Sequence, residues 1–197
     1  MPRYTYTVPK SFMLLHHITM DVGAYDYIQI TVGGKAKASA TNGVVAGVIS
    51  QTLTACDVLK PVKTFYITKY HADEALNILE CTDRVIEFEY KGEEASVLYL
   101  KDDSGDRHYL PFTWEPQDNH SFDIDDLFPD PDINEPRPAV RMPLYAMRSV
   151  MEILEGMNVQ ELNFLFCAEG KPALSHYTSY CEQVGELQSS FVTALAS

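Results

Sequence analysis

The sequence of 197 residues lacks the local signatures that mark common enzyme classes. It contains no Walker-type phosphate loop, no G-x-S-x-G nucleophile turn, no H-E-x-x-H helix and no EF-hand loop. These absences predict a protein that is not an enzyme, has no catalytic residues and binds no cofactor.

Basic residues are scarce. The chain has 15 Lys and Arg against 28 Asp and Glu, which gives a formal net charge of -13. A chain of this charge gains no bulk attraction to a phosphate backbone, so contact with DNA would need a local basic cluster or an assembly that concentrates one. The same acidic surface could instead bind a basic protein partner.

Patterns that bind metal ions are missing as well. The four cysteines, at positions 56, 81, 167 and 181, form no C-x-x-C pair and no zinc-type cluster with histidine. His16 and His17 are adjacent, so on a helix their side chains point about 100° apart. They are predicted to be surface or capping residues. The aspartates of residues 123–132 are interrupted by prolines and lack the glycine of a calcium loop. We predict no metal site.

No apolar run reaches the length of a membrane span, and the N-terminal residues MPRYTYTVPK do not form a signal peptide. Cys81 and Cys167 lie in or beside apolar periodic segments, which predicts buried thiols in a reducing compartment. The expected location is intracellular, nuclear or cytoplasmic, with no membrane partner.

Residues 138–177 contain the clearest structural pattern in the chain. It predicts a strand, a helix, a second strand, a turn and a third strand. The helix has an apolar face with three- and four-residue spacing and ends at Gly156. The second strand is indicated by the alternation of Leu162, Phe164 and Phe166. The residues of the helix face are Met147, Val150, Met151 and Leu154.

The same order of elements recurs twice earlier in the chain. The first copy has a strand at residues 4–8, a helix after Pro9 that carries Phe12, Leu15 and Ile18, and three strands at residues 27–32, 35–40 and 44–53. The second copy has a strand at residues 64–68, an acidic helix start at residues 72–74, and strands at residues 85–90, 95–100 and 108–112. The predicted fold class is therefore α+β, with repeated β-α-β-β-β units, antiparallel sheets and helices on one face.

An acidic, proline-rich connector separates the second and third copies, at residues 115–137. Its composition predicts an exposed segment without regular structure. Four apolar residues in it could hold it against the body or could dock a partner. The predicted division is residues 1–114, 115–137 and 138–197, the last an incomplete second domain. The four apolar residues of the connector are Phe122, Ile124, Leu127 and Phe128.

Residues 187–195 fit an edge strand or a short helix.

The segment MRSVMEILEGMNVQELNFLFCAEGKPALSHY resembles the helix, strand and hairpin of a checkpoint clamp subunit of the Rad-nine or Hus-one type. Residues 4–23 and 26–43 resemble the same unit, and the run Phe128-Pro129-Asp130-Pro131-Asp132 is similar to one in Hus-one-type subunits. These subunits and proliferating cell nuclear antigen belong to the DNA sliding clamps. The resemblance covers about two thirds of the chain.

The resemblance implies a DNA-clamp-like fold and a non-enzymatic subunit of DNA replication or the DNA-damage checkpoint. Its implied partners are other clamp subunits or copies of itself, and double-stranded DNA inside the assembled ring. The family has four units per subunit, whereas this chain has three. On the helices that would line the channel, the candidate DNA contacts are Lys10, Lys69 and Arg148. The rival hypothesis is an acidic adaptor that binds a basic protein without touching DNA.

Overall fold

The computed structural model describes residues 4–21, 26–33, 35–51, 62–78, 85–90, 97–101, 104, 106–112, 144–160, 173–181 and 185–193. The connector, Cys81, Cys167 and the predicted strand of Leu162, Phe164 and Phe166 lie outside these residues. The proposed domain division therefore stays a prediction.

Ten strands, one 3-10 helix and two α-helices follow one another in the described residues, and the strands pair antiparallel. The helices are η1 (Lys10–His17), α1 (Lys69–Ile78) and α2 (Leu144–Gly156). The strands are β1 (Tyr4–Pro9), β2 (Tyr27–Val32), β3 (Lys37–Thr41), β4 (Val45–Gln51), β5 (Lys63–Thr68), β6 (Val85–Tyr90), β7 (Val97–Lys101), β8 (Arg107–Pro111), β9 (Ala173–Cys181) and β10 (Gly185–Thr193).

The largest sheet has six strands in the order β5-β2-β3-β4-β10-β9. Strands β2 to β4 belong to the first unit, β5 to the second, and β9 and β10 to the third. Two smaller pairs, β1-β6 and β7-β8, are formed mainly by the second unit. The α+β fold class with repeated units is confirmed.

The turn between β3 and β4 is the strongest local signal of the sequence, and the structure shows its chemistry. Gly43 has a φ of 83°, a left-handed backbone conformation that glycine adopts without steric cost. The side chain of Asn42 accepts hydrogen bonds from the backbone N–H groups of Val44 and Val45, at 3.0 and 2.9 Å. This Asx turn fixes the register in which Ser39 faces Val48.

The pairing of β4 with β10 joins the first unit to the third, with Gly47 opposite Phe191. Both Phe191 and the nearby Ile18 are buried in the core. A Cβ atom at Gly47 would lie 2.7 Å from Ile18 Cδ1 and 2.9 Å from the Phe191 ring. The absence of a side chain at position 47 therefore lets the 3-10 helix segment and β10 approach the sheet together.

One core joins the helices to the sheets, and it contains residues from all three units. Phe12, Leu15 and Ile18 are buried, as the spacing after Pro9 predicts. From α2, the buried side chains are Ala146, Val150, Ile153 and Leu154.

Two details differ from the sequence-based expectations. Helix α1 begins at Lys69, so Asp73 and Glu74 lie beyond its first turn, because Thr68 already caps the helix by accepting the His71 N–H at 3.4 Å. The C-terminal run forms strand β10, and that strand is internal because β4 and β9 flank it. Among the described strands, β5 and β9 are the edges of the six-stranded sheet.

Candidate nucleic-acid interface on the helix layer

The three helices lie side by side, with η1 in contact with both α1 and α2. We call this arrangement the helix layer. His17 of η1 connects two of its members, since His17 Nδ1 lies 3.1 Å from Glu152 Oε2 of α2. Leu14 of η1 packs against α2 at Gly156. The helix layer is the surface on which the predicted DNA contacts lie.

Each predicted DNA contact is on a different helix of this layer. Lys10 is the first residue of η1, Lys69 is the first residue of α1, and Arg148 lies in the second turn of α2. Arg148 is exposed, whereas Lys10 and Lys69 are half-buried. The fold therefore brings the three residues onto neighbouring elements, and their contact with DNA stays a prediction.

Lys69 is held by an acidic residue that the sequence reasoning did not single out. Its Nζ lies 2.6 Å from Asp21 Oδ1, and the backbone N–H of Lys69 donates to Asp26 O at 2.8 Å. The hydrogen bond from Lys69 lowers the pKa of the Asp21 carboxyl below its usual range. Since Asp21 is highly exposed, this ion pair is open to competition from a stronger anion such as a phosphate.

The exposed side chains of the helix layer carry more negative than positive charge. Asp73 on α1 and Glu152 and Glu155 on α2 are exposed, against Arg148 alone among the exposed basic residues of the described helices. A phosphate backbone would therefore meet weak attraction at this surface.

The rings of His16 and His17 are in contact, with centroids 4.0 Å apart and planes tilted by 39°. Burial lowers the pKa of His16 to about 4, and the neighbouring His17 and Lys69 also oppose its protonation, while Asp73 favours it. Burial also lowers the pKa of His17, against the opposing effect of Glu152.

Of the two histidines predicted to be surface or capping residues, His16 does not lie on the surface, since it is 8% exposed. The 3-10 geometry of η1 explains this, because three residues per turn place His16 on the same face as the buried Met13. In the described part of the chain, His16 Nδ1 has no hydrogen-bond partner. No group of three potential metal ligands occurs among the same residues.

The predicted partner-binding residues of the connector, Phe122, Ile124, Leu127 and Phe128, lie outside the described residues. Of the helices that the structure describes, none is long and apolar enough to span a membrane.

A layer of helices on one side of antiparallel sheets, built from repeated strand-helix-strand units, is the architecture of the DNA sliding clamps, and this chain has that fold. The DNA polymerase III beta subunit of Thermotoga maritima matches over 98% of this chain and 64% of its own, with a TM-score of 0.65 and 9% identity. The sliding clamp of Pseudomonas aeruginosa, solved with a ligand, matches over 98% and 66%, with a TM-score of 0.63 and 12% identity.

A third similar structure is the Helicobacter pylori beta clamp bound to a DNA ligase peptide. It matches over 98% of this chain and 66% of its own, with a TM-score of 0.51 and 15% identity. The chain thus spans just under two thirds of the length of these clamps. No family model and no curated protein sequence matches it.

Proposed function

We propose that this chain is a non-enzymatic clamp subunit that assembles with copies of itself or with other clamp subunits around double-stranded DNA. The role would lie in replication or in the DNA-damage checkpoint, inside the cell. The observation that carries the proposal is the six-stranded sheet that continues from the first unit to the third through β4 and β10. A continuous antiparallel sheet of this kind can be extended from one subunit to the next through its edge strands.

Assembly would use the strands at the ends of this sheet. Among the described strands, β5 and β9 have a neighbour on one side only. Backbone N–H and C=O groups along such an edge can pair with a strand from another subunit. With three units in each chain, several chains or a mixed set of subunits would be needed to close a ring.

Proline substitutions in β9 test this use of the edge. Backbone N–H groups alternate between the two sides of a strand, so of the adjacent changes Thr178→Pro and Ser179→Pro, one removes a bond to β10 and the other an outward N–H. We expect the change that removes the bond to β10 to lower stability. We expect the change that removes the outward N–H to keep the fold while abolishing assembly. Analytical ultracentrifugation at micromolar concentration, alone and with candidate clamp subunits, measures the outcome. If both variants fold and still assemble, β9 is not the strand through which the subunits pair.

Retention on DNA distinguishes a clamp from an adaptor. A closed ring is held by topology, so with partner subunits and a loader present it should stay on circular DNA and slide off linear DNA with open ends. The isolated subunit, with a net charge of -13, should bind DNA weakly or not at all. Equal, negligible retention on both DNAs would favour the acidic adaptor and end the clamp proposal.

The three basic residues should contribute through phosphate contacts if they line the channel. Arg148→Ala should lower the slope of log K against log salt by about 0.9 for the assembled ring. Asp21→Ala should not lower this slope, and it should strengthen DNA binding, because it releases Lys69 from its ion pair. Binding titrations between low and moderate salt measure both variants. An unchanged slope for Arg148→Ala would remove this residue from the interface.

A further inference from the structure

The outward side of α2 combines large apolar side chains with carboxylates. Leu144 is 76% exposed, Tyr145 56% and Met151 39%. Leu144 and Met151 are seven residues apart and therefore lie two turns from each other along one line of the helix. The exposed residues of α2 between positions 144 and 155, here called the α2 face, are Leu144, Tyr145, Arg148, Met151, Glu152 and Glu155.

This face is distinct from the packed side of the same helix. The opposite side places Ala146, Val150 and Ile153 in the core. At one border, Glu152 contacts His17 of η1, so the helix is held against its neighbour and its outward side chains are presented on a supported element. Large apolar residues grouped on a supported helix are typical of a surface that another molecule covers.

The charge of the α2 face indicates which kind of molecule can bind to it. Glu152 and Glu155 outnumber Arg148 on it, and the exposed Asp73 lies across the helix layer on α1. A phosphate backbone offers negative charge and no apolar side chains, so on this face it would complement Arg148 alone. A second copy of this chain brings a net charge of -13, so it does not complement the carboxylates of this face either. The connector is also acidic: its charged residues are Glu115, Asp118, Asp123, Asp125, Asp126, Asp130, Asp132, Glu135 and Arg137.

We propose that the α2 face binds a basic, amphipathic segment of a partner protein. Apolar side chains of that segment would cover Leu144, Tyr145 and Met151, while its Lys or Arg residues would pair with Glu152 and Glu155. Electrostatic complementarity of this type raises association rates and selects against acidic competitors. The binding does not depend on the strand edges, so it can succeed or fail separately from ring assembly. It is measured on the chain without DNA, because Arg148, a predicted DNA contact, lies on the same face.

A model peptide provides the probe. A fluorescent amphipathic peptide made only of Leu and Lys is titrated with the full chain, and anisotropy reports binding. The same peptide with Glu in place of Lys is the charge control. We expect the Lys peptide to bind with an affinity that falls as salt increases, and the Glu peptide not to bind.

Matched variants locate the contact. Glu155→Lys reverses an exposed charge on the α2 face, and Glu186→Lys makes the same change on β10. Met151→Ser removes an apolar side chain from the face, and Val62→Ser removes one from an exposed position elsewhere. We expect Glu155→Lys to weaken peptide binding about five- to tenfold and Met151→Ser about tenfold, with each control within about twofold of the parent.

Three results would overturn the proposal. The first is that the Lys peptide fails to bind. The second is that Glu186→Lys weakens binding as much as Glu155→Lys, which would mean attraction to the overall charge. The third is that a photocrosslinker at position 145 reacts with residues 115–137 of the same chain when no peptide is present, which would mean that the connector occupies the face.

Discussion

Gly47→Ala is expected to lower the free energy of unfolding by about 1 to 3 kcal/mol, the usual cost of forcing an extra group into a packed core. The new methyl group would lie 2.7 Å from Ile18 Cδ1 and 2.9 Å from two atoms of the Phe191 ring. Both neighbours are almost fully buried, so neither can swing into solvent. Relief would require η1 or β10 to move away from β4. Urea denaturation followed by circular dichroism measures the loss.

Gly156→Ala is the matched control for this prediction. Its new methyl group would also meet a close neighbour, at 2.8 Å, but that neighbour is the end of the Leu14 side chain, which is only partly buried. Leu14 can rotate, and alanine favours the helical end of α2 by up to about 1 kcal/mol relative to glycine. We expect a change of less than about 1 kcal/mol. Equal stability of the two variants would contradict the close packing of β4 against β10.

The protein is expected to lose stability as the pH falls from about 6.5 towards 4, because of His16. The buried imidazole has a pKa of about 4 in the folded chain, below the ordinary value of 6.5. In this window the unfolded chain binds a proton that the folded chain does not, so a falling pH favours unfolding. Above pH 6.5 both states are neutral and the stabilisation is complete. The difference in pKa corresponds to a loss of about 3 kcal/mol at most.

His16→Leu tests the cause of this pH dependence. Leucine fills a buried position without a titrating group, and His16 Nδ1 has no described partner whose hydrogen bond would be lost. We expect the variant to fold and its unfolding free energy to change less than that of the parent between pH 6.5 and 4. His17→Gln is the comparison, since it keeps a donor for Glu152 and leaves His16 in place. Because the pKa of His17 is also lowered, this variant should reduce the pH dependence too, but less than His16→Leu does. Parallel pH profiles for the parent and His16→Leu would assign the effect to other groups.

Local patterns predicted most elements of this fold, because periodicity reports which side of an element is buried. Strands β2 and β6 have the predicted bounds, and α2 ends at Gly156 as expected. The role of β10 could not be derived in this way. Its position inside the sheet depends on β4, which lies far away in the sequence, and alternation alone does not distinguish an edge strand from an internal one.

The helix layer shows the same limit at the level of side chains. The sequence identified Lys10, Lys69 and Arg148 as the basic residues of the helices, but not that Asp21 would hold Lys69 or that Glu152 would reach His17. Such pairs depend on how separate elements are placed next to one another. The charge of a surface is therefore set by the tertiary fold, and only the total charge is available from composition.

The seam between β4 and β10 also affects how the chain is made. Ser50 of β4 donates to the carbonyl of Gln188 in β10, across 138 positions in the sequence. At a synthesis rate of about 5 to 20 residues per second, β4 leaves the ribosome roughly 7 to 28 s before its partner strand does. During that time one side of β4 has no native neighbour and is open to pairing with another nascent chain. Completion of the sheet is then the late step of folding, and a chain truncated before β10 would be the form most prone to aggregate.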